Sequence, residues 1–233
     1  MAAGGLGERF SSGSMPKQFL ELGGKPMYSW SLKTLVDHPA IDEVVLVARA
    51  DMHNVIQSQL PHLLSPSDRI LIASGGKSRQ QSVYAGLEAL NRRLNRPTHV
   101  LIHDAARPFL EKEQLDRFLI VLTERGPCAC AMPVSDTIKR VSDDVIVETL
   151  DRKELYAMQT PQGAPFDLLL EAHRRARKER YDATDDVALL ERIQISVTIV
   201  QGSATNLKVT NPEDMLIAEA LAVRKNLLTK ERM

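Results

Sequence analysis

The sequence is sparing with cysteine, shows no excess of charge of either sign, and has no long apolar run. Its two cysteines, Cys128 and Cys130, stand in Pro127-Cys128-Ala129-Cys130-Ala131-Met132-Pro133. This spacing puts both on one face of a strand and is not the usual zinc spacing. A redox pair or half a metal site is one reading; two small buried hydrophobes is the favoured one. Lys and Arg number 30 and Asp and Glu number 30, so the net charge is zero. A general nucleic-acid or membrane-surface binder is usually lopsidedly basic, so neither partner is expected. No apolar run approaches the roughly 20 residues that span a bilayer. The first residues are small ones and glycines, without the basic-then-apolar pattern of a signal peptide, so a cytoplasmic protein is expected. Internal repeats, low-complexity tracts and linkers are also missing, which favours a single domain over 1–233.

What is present is an alternation. Glu43–Ala48, Arg69–Ala73, His99–Ile102, Ala129–Val134 and Ile195–Gln201 are short apolar runs that read as buried strands. Between them lie helical patterns. One begins near Pro26 and carries Trp30, Leu32 and Leu35, and another follows Asp51 as N-cap. A third runs from Arg79 to Leu94, a fourth from Lys112 to Arg125 with Gly126 as C-cap, and the last begins at Pro212. The pattern predicts an α/β fold, a mostly parallel twisted sheet with helices on both faces. The run His173–Lys178 reads as the solvated face of a helix containing Leu168–Leu170 rather than as a phosphate patch.

One segment breaks the rhythm. Thr137–Val141 and Val145–Thr149 are β-patterned and flank Ser142-Asp143-Asp144, a turn composition. They predict a β-hairpin arm at about 136–153 that projects from the body and finds a partner, most simply a second copy.

Four segments carry candidate chemistry. In Ala2-Ala3-Gly4-Gly5-Leu6-Gly7-Glu8-Arg9, glycines let successive N–H groups point at a triphosphate, while Arg9 and Lys17 of Pro16-Lys17-Gln18 supply charge. The dinucleotide fingerprint fails at Phe10, and a Walker A pattern at Gly76-Lys77-Ser78 fails at Leu71. A plain glycine-rich turn is the alternative. Gly75 and Gly76, before a helix bearing Arg79 and Ser82, permit close approach of a planar base; a strand-to-helix turn reads equally well. His103-Asp104-Ala105-Ala106-Arg107-Pro108 follows a strand, where ligands of open α/β sheets sit. Asp104 there can hold Mg²⁺ and Arg107 can grip a phosphate, or the two can pair to close a loop. His103 reads as structural. Thr184, before Asp185-Asp186, suits a phosphate or a helix cap; Lys208 lies in a β-patterned stretch after Gly202, where an inward charge needs a reason, or is an edge-strand lysine.

In order, these segments resemble the 2-C-methyl-D-erythritol 4-phosphate cytidylyltransferase family along almost the whole chain. Asp136-Thr137-Ile138-Lys139-Arg140, Gln159-Thr160-Pro161-Gln162 and Asn206-Leu207-Lys208-Val209-Thr210 belong to the same resemblance. It implies a Rossmann-like nucleotidyltransferase that joins the CMP part of CTP to the polyol phosphate with Mg²⁺. Arg9, Lys17 and Lys208 would be catalytic. Ala2, Ala3, Gly4, Gly5, Gly7, Gly75, Gly76, Ser82, Asp104 and Ala105 would bind the nucleotide, with Asp104 on the metal. Arg107, Thr137, Arg152, Thr184 and Lys208 would contact the substrate, Thr137 and Arg152 reaching the neighbour's site across a homodimer. Ribitol 5-phosphate cytidylyltransferases share the nucleotide motifs, and a non-catalytic nucleotide-binding relative would share the fold. Thr137, Arg152 and Thr184 favour methylerythritol phosphate, and the presence of Arg9, Lys17 and Asp104 favours an enzyme. The family pattern also has a hydrophobic strand running into the Ala-Ala-Gly loop, and here that pattern begins at Met1-Ala2-Ala3-Gly4. A weakened N-terminal loop is therefore expected.

Overall fold

A computed structural model describes residues 1–4, 15–64 and 68–231, with side chains to residue 225. The first strand, β1 (Ala2–Ala3), is only two residues long. A 3-10 turn at Lys17–Phe19 and a small hairpin, β2 (Glu21–Leu22) and β3 (Lys25–Pro26), come next. Pro26 then leads into α1 (Met27–Asp37), which buries Tyr28, Leu32 and Leu35 at helical spacing. The alternation continues with β4 (Val44–Ala48), α2 (His53–Leu63), β5 (Ile70–Ser74) and α3 (Arg79–Asn91). Ser78 caps α3 by accepting the Gln81 N–H. Then come β6 (His99–Ile102) and α4 (Lys112–Arg125), which stops where Gly126 takes a positive φ. The last part comprises β7 (Cys128–Pro133), β8 (Lys139–Ser142), β9 (Val145–Thr149), β10 (Tyr156–Pro165), α5 (Phe166–Glu179), α6 (Asp186–Arg192), β11 (Thr198–Gln201) and α7 (Pro212–Glu231).

The strands β1, β4 and β5 pair in parallel, in the order β1-β4-β5. A second group runs β11-β7-β10-β6, with β11 parallel to β7 and β10 antiparallel to both its neighbours. A parallel bridge between Ala2 and Asp104 joins the two groups at the tip of β6. One face is packed by Tyr28, Leu32, Ile56 and Leu115, the other by Val83, Leu87, Leu169 and Leu189. Mostly parallel strands with helices on both faces are thus what the chain forms. Cys128 and Cys130 are buried on β7, where burial raises their thiols to about 12 and 11, so they behave as small hydrophobes.

Several local expectations need correcting. Asp51 does not cap α2; it lies in a 3-10 turn and pairs with Arg49 at 2.6 Å. The helix α3 ends at Asn91, three residues before Leu94, and β11 begins at Thr198 instead of Ile195. No apolar alternation marks β10, because Gln159, Pro161, Gln162 and Gly163 interrupt it, and its pairing with β7 shifts register between Met158 and Gln162. The segment around Lys208 is irregular backbone, not a strand.

The hairpin β8–β9 forms as expected. Asp143 and Asp144 both have positive φ, the signature of a type I′ turn. All nine strand residues are exposed, including Val141, Val145, Ile146 and Val147.

The sheet has one interruption. Met1 donates its amine to the Val45 carbonyl and accepts the Val47 N–H, and Ala2 bonds His103 and Ala105 on the other side. Below Met1 the space between β4 and β6 holds a cavity of about 610 Å³. Val45 and Leu101 line it from the strands, Val83 and Leu87 from one helical face, Leu119 and Leu122 from the other. The weakened loop expected from the sequence falls on residues 5–14, outside the described residues.

Candidate nucleotide and phosphate site

The carboxyl ends of β1, β5 and β6 converge. Ala2 donates its N–H to the His103 carbonyl and Ala105 donates to the Ala2 carbonyl, which sets Gly4 beside the loop after β6. Gly4 and Gly75 lie against each other across Ser82. A Cβ on Gly4 would stand 2.6 Å from Ser82 Oγ and one on Gly75 would stand 2.9 Å from it, so a side chain at either position would have to displace the Ser82 hydroxyl. Ser82 accepts the Gly76 N–H at 3.1 Å and donates to the Ser78 carbonyl, tying the glycine turn to α3. Gln18 donates to the Ala3 carbonyl and steadies the same entry.

Asp104 is the hub. Its Oδ1 accepts from Arg79 Nε at 2.8 Å, and its Oδ2 lies 2.8 Å from Lys208 Nζ. Burial alone would raise this carboxyl, but Arg79 and then Lys208 overcome that and hold it well below the usual carboxylate range. The Asp104 N–H is donated to Thr160 Oγ1, whose hydroxyl is 3.0 Å from His103 Nδ1. His103 Nε2 lies 3.0 Å from the Arg107 carbonyl, an acceptor only, so Nε2 carries the proton and Nδ1 accepts from Thr160. Burial lowers His103 to about 4, and this neutral ring is structural, as its sequence context suggests. Arg79 also reaches Asp186 Oδ2 at 2.8 Å, and His173 Nε2 bonds Asp186 Oδ1 at 3.0 Å.

Of the residues proposed from the sequence, Ala2, Ala3, Gly4, Gly75, Gly76, Ser82, Asp104, Ala105 and Lys208 come together here. Gly5, Gly7 and Arg9 lie outside the described residues. Lys17 sits in the 3-10 turn at Lys17–Phe19 and acts electrostatically on Asp214. Thr184 is exposed just before α6; Asp185, not Thr184, caps that helix by accepting the Ala188 N–H. Thr137 and Arg152 flank the base of the hairpin, and Arg152 donates to the Ser135 carbonyl.

Arg107 does not close the loop by pairing with Asp104, whose ion-pair partners are Arg79 and Lys208. Its guanidinium is buried and donates to the Asn206 carbonyl at 2.8 Å and the Met158 carbonyl at 3.1 Å. Arg107 thereby ties the irregular loop that carries Asn206 and Lys208 to β10 at its register shift. Sequence reasoning missed Asp186 and Gln162 and gave Arg79 no role. Gln162 Oε1 accepts the Asp186 and Val187 N–H groups. A glutamine inside a strand gave no signal; two aspartates opening a helix facing an arginine that opens another would have given one.

An open α/β sheet with a glycine entry, a glycine turn before a helix and a buried carboxylate between two cations is the arrangement of a nucleotidyltransferase. The model of the family 2-C-methyl-D-erythritol 4-phosphate cytidylyltransferase matches residues 1–224. A curated protein of that name from Halalkalibacterium halodurans is 40% identical over 223 residues, covering 96% of this chain and 95% of that protein. The crystal structure of the Thermus thermophilus protein of that name aligns at a TM-score of 0.73 and 33% identity over 89% of this chain and 94% of that one. The 4-diphosphocytidyl-2C-methyl-D-erythritol synthase of Anaerococcus prevotii aligns at 0.79 with 28% identity, over 91% and 94%. The chain belongs to the 2-C-methyl-D-erythritol 4-phosphate cytidylyltransferase family.

Proposed function

We propose that the cluster around Asp104 is where this enzyme transfers CMP from CTP to 2-C-methyl-D-erythritol 4-phosphate, its step in non-mevalonate isoprenoid biosynthesis. The observation that carries the reading is the convergence of Gly4, Gly75, Ser82, Asp104 and Lys208 at one end of the sheet. A phosphate oxygen of the polyol attacks the α-phosphorus of CTP in line. The bond from that phosphorus to the bridging oxygen breaks, and pyrophosphate leaves. No covalent enzyme intermediate is needed, so the protein's work is positioning and charge stabilisation. Lys208 stabilises the negative oxygens that develop, with Arg9 and Lys17 from the N-terminal segment. Ala2 and Ala3, held in β1 between β4 and the loop after β6, anchor the turn from which Gly4, Gly5 and Gly7 would offer backbone N–H groups to the triphosphate, and Gly75, Gly76 and Ser82 read the base. Ala105 lies near the ribose, and Thr184 approaches the polyol phosphate.

Among the described residues no group of three or more His, Cys, Asp or Glu side chains could hold a metal alone. The donor set still suits Mg²⁺, which is commonly held by one carboxylate together with substrate phosphates. Asp104, kept ionised, is that carboxylate. The metal would supply charge neutralisation on the phosphates. Arg79 and Lys208 both pair with Asp104, so the carboxylate is not left buried and unpaired before substrates arrive.

A single domain spans 1–233, and the hairpin at 136–153 is its dimerisation arm. The reading is supported by four exposed apolar side chains on an isolated two-stranded ribbon, which is marginal alone. Arg152 and Thr137 at its base would reach the partner's substrate phosphate. Replacing both Val141 and Ile146, which pair across the ribbon, by aspartate should give a monomer by light scattering that still binds CTP. Arg152→Ala should weaken polyol-phosphate affinity about tenfold while leaving CTP affinity unchanged. If the polyol affinity does not move, the trans-acting arm is wrong. Among the described residues no helix is long and apolar enough to cross a membrane.

The direct test offers CTP, ATP, GTP or UTP with Mg²⁺ and either methylerythritol 4-phosphate or ribitol 5-phosphate. Pyrophosphate release should require CTP and the methylerythritol substrate, and Asp104→Asn should abolish it.

A further inference from the structure

The cluster does not end at Asp104. Arg79, the first residue of α3, bridges two carboxylates: Nε bonds Asp104 at 2.8 Å and Nη2 lies 2.8 Å from Asp186 Oδ2. Asp186 is buried at the first turn of α6 and is fixed from two directions. His173 on α5 holds Oδ1 at 3.0 Å, and Gln162 on β10 takes its N–H at 3.0 Å. The contact with Arg79 is close in distance but poorly aligned for a hydrogen bond, so Asp186 acts on Arg79 chiefly as a fixed charge. Its carboxyl is held below the usual range even though burial opposes this, with Arg79 the main cause and His173 next.

Charge counting shows why a second carboxylate is needed. Asp104, Asp186, Arg79 and Lys208 together sum to zero, and Arg79 is shared between the two aspartates. Without Asp186 the guanidinium would have one anion left to satisfy. It could then turn both forks onto Asp104, the bidentate geometry it prefers. Asp104 would then be turned away from Lys208, and the loop after β6 would shift with it.

We infer that Asp186 is a positioning residue for the cytidylyl transfer, holding Arg79 so that only its Nε engages Asp104 and the second carboxylate oxygen stays directed at Lys208. The inference rests on the reading that the Asp104 cluster binds the nucleotide. Asp186 touches neither substrate; it works through Arg79. Its charge is built in by the fold, since α5, α6 and β10 all converge on it.

The experiment is a double-mutant cycle on the full-length chain, with kcat and KM for CTP measured well below each variant's Tm. Asp186→Asn should lower kcat about 10–100-fold, the scale of a misplacement near 1 Å, and change KM for CTP by less than about threefold. In an Arg79→Lys background the same substitution should change kcat by less than about twofold, because a lysine cannot bridge both carboxylates. Leu189→Ala, a buried neighbour on α6 outside the site, should lower Tm without lowering kcat. If Asp186→Asn does not fold, Asp186→Glu keeps the charge but moves it by one methylene, and its kcat loss should vanish in the Arg79→Lys background in the same way. Unchanged kcat in Asp186→Asn, or equal losses with and without Arg79, would overturn the inference. Full activity in Asp104→Asn and Lys208→Ala would overturn the underlying site reading instead.

Discussion

Lys208→Ala should lower kcat by about 10²–10³, the effect of deleting one well-placed cation from a transition state. The side chain is 39% exposed, and its ammonium lies 2.8 Å from a nearly buried Asp104 carboxylate. Such a cation has an exposed flank toward a ligand and a buried anchor behind it. Two effects could follow from its removal, and their sizes separate them. As a folding contribution, a half-exposed ion pair is screened, and Asp104 keeps Arg79, so Tm should fall by only a few degrees. As a transition-state contribution, the same charge acts on oxygens that become more negative as pyrophosphate leaves. A large loss of kcat with a small loss of Tm is therefore the expected pattern. Lys208→Arg should recover part of the rate, since it restores charge but not the compact ammonium. Unchanged kcat in Lys208→Ala would leave the cation with an ion-pairing role only.

The second large effect concerns the cavity beneath Met1. The strand β6 runs four residues, His99–Ile102, alongside it, about 13 Å at the usual rise per residue. Peptide groups on one side of a strand alternate. Since Val45 and Val47 face Met1, and His103 faces Ala2, the Val45 N–H and the Leu101 peptide groups point into the cavity. Helices line both faces, so an extended segment there would be apolar on both sides. Attaching four apolar β-branched residues to Met1 should raise Tm at pH 6 by roughly 10 °C more than attaching four Gly and Ser residues, which gain only by removing the buried amine. Equal Tm values for the two extensions would contradict the cavity's being a strand site. CTP affinity should rise with the apolar extension, because β1 leads directly into Gly4.

Part of that gain has a pH signature. Burial lowers the Met1 amine from 8.0 to about 5, with smaller effects from Asp104, Arg79 and Asp186. Above pH 8 the amine is neutral in both folded and unfolded chains. Between pH 8 and 5 the unfolded chain takes up a proton that the folded chain refuses, so stability falls as pH falls. By pH 5 this corresponds to roughly 4 kcal/mol. His103, lowered from 6.5 to about 4, adds a loss of the same sign over its own lower range. Acetylating Met1 should flatten the first slope and leave the second. Denaturant titrations from pH 8 to 5 on both forms would measure the difference, and identical slopes would contradict the burial of the amine.

Much of this was legible in the sequence. Five apolar runs became strands, and Pro26, Gly126 and Pro212 marked helix ends because each acts locally through φ or a missing N–H. The turn at Asp143-Asp144 was readable for the same reason. The glycines of the site were readable as glycines, although the Ser82 hydroxyl that a Cβ there would press on is visible only once α3 is packed. The long strand β10 was not readable. It gains its order from two neighbouring strands, and its glutamines face the irregular loop and α6 rather than solvent. Arg107 was readable as a cation but not as a donor to Asn206 and Met158, partners 99 and 51 residues away. The pairing of Arg79 with Asp186 likewise depends on two helix starts meeting across the sheet end.

The most direct measurement is a crystal structure with CTP and Mg²⁺ soaked in. The base should lie against Gly75 and Gly76, and the phosphates should lie between the Gly4 turn and Lys208. Nucleotide bound elsewhere, such as along Tyr84 and Arg177, with the Asp104 cluster untouched, would contradict the proposed site.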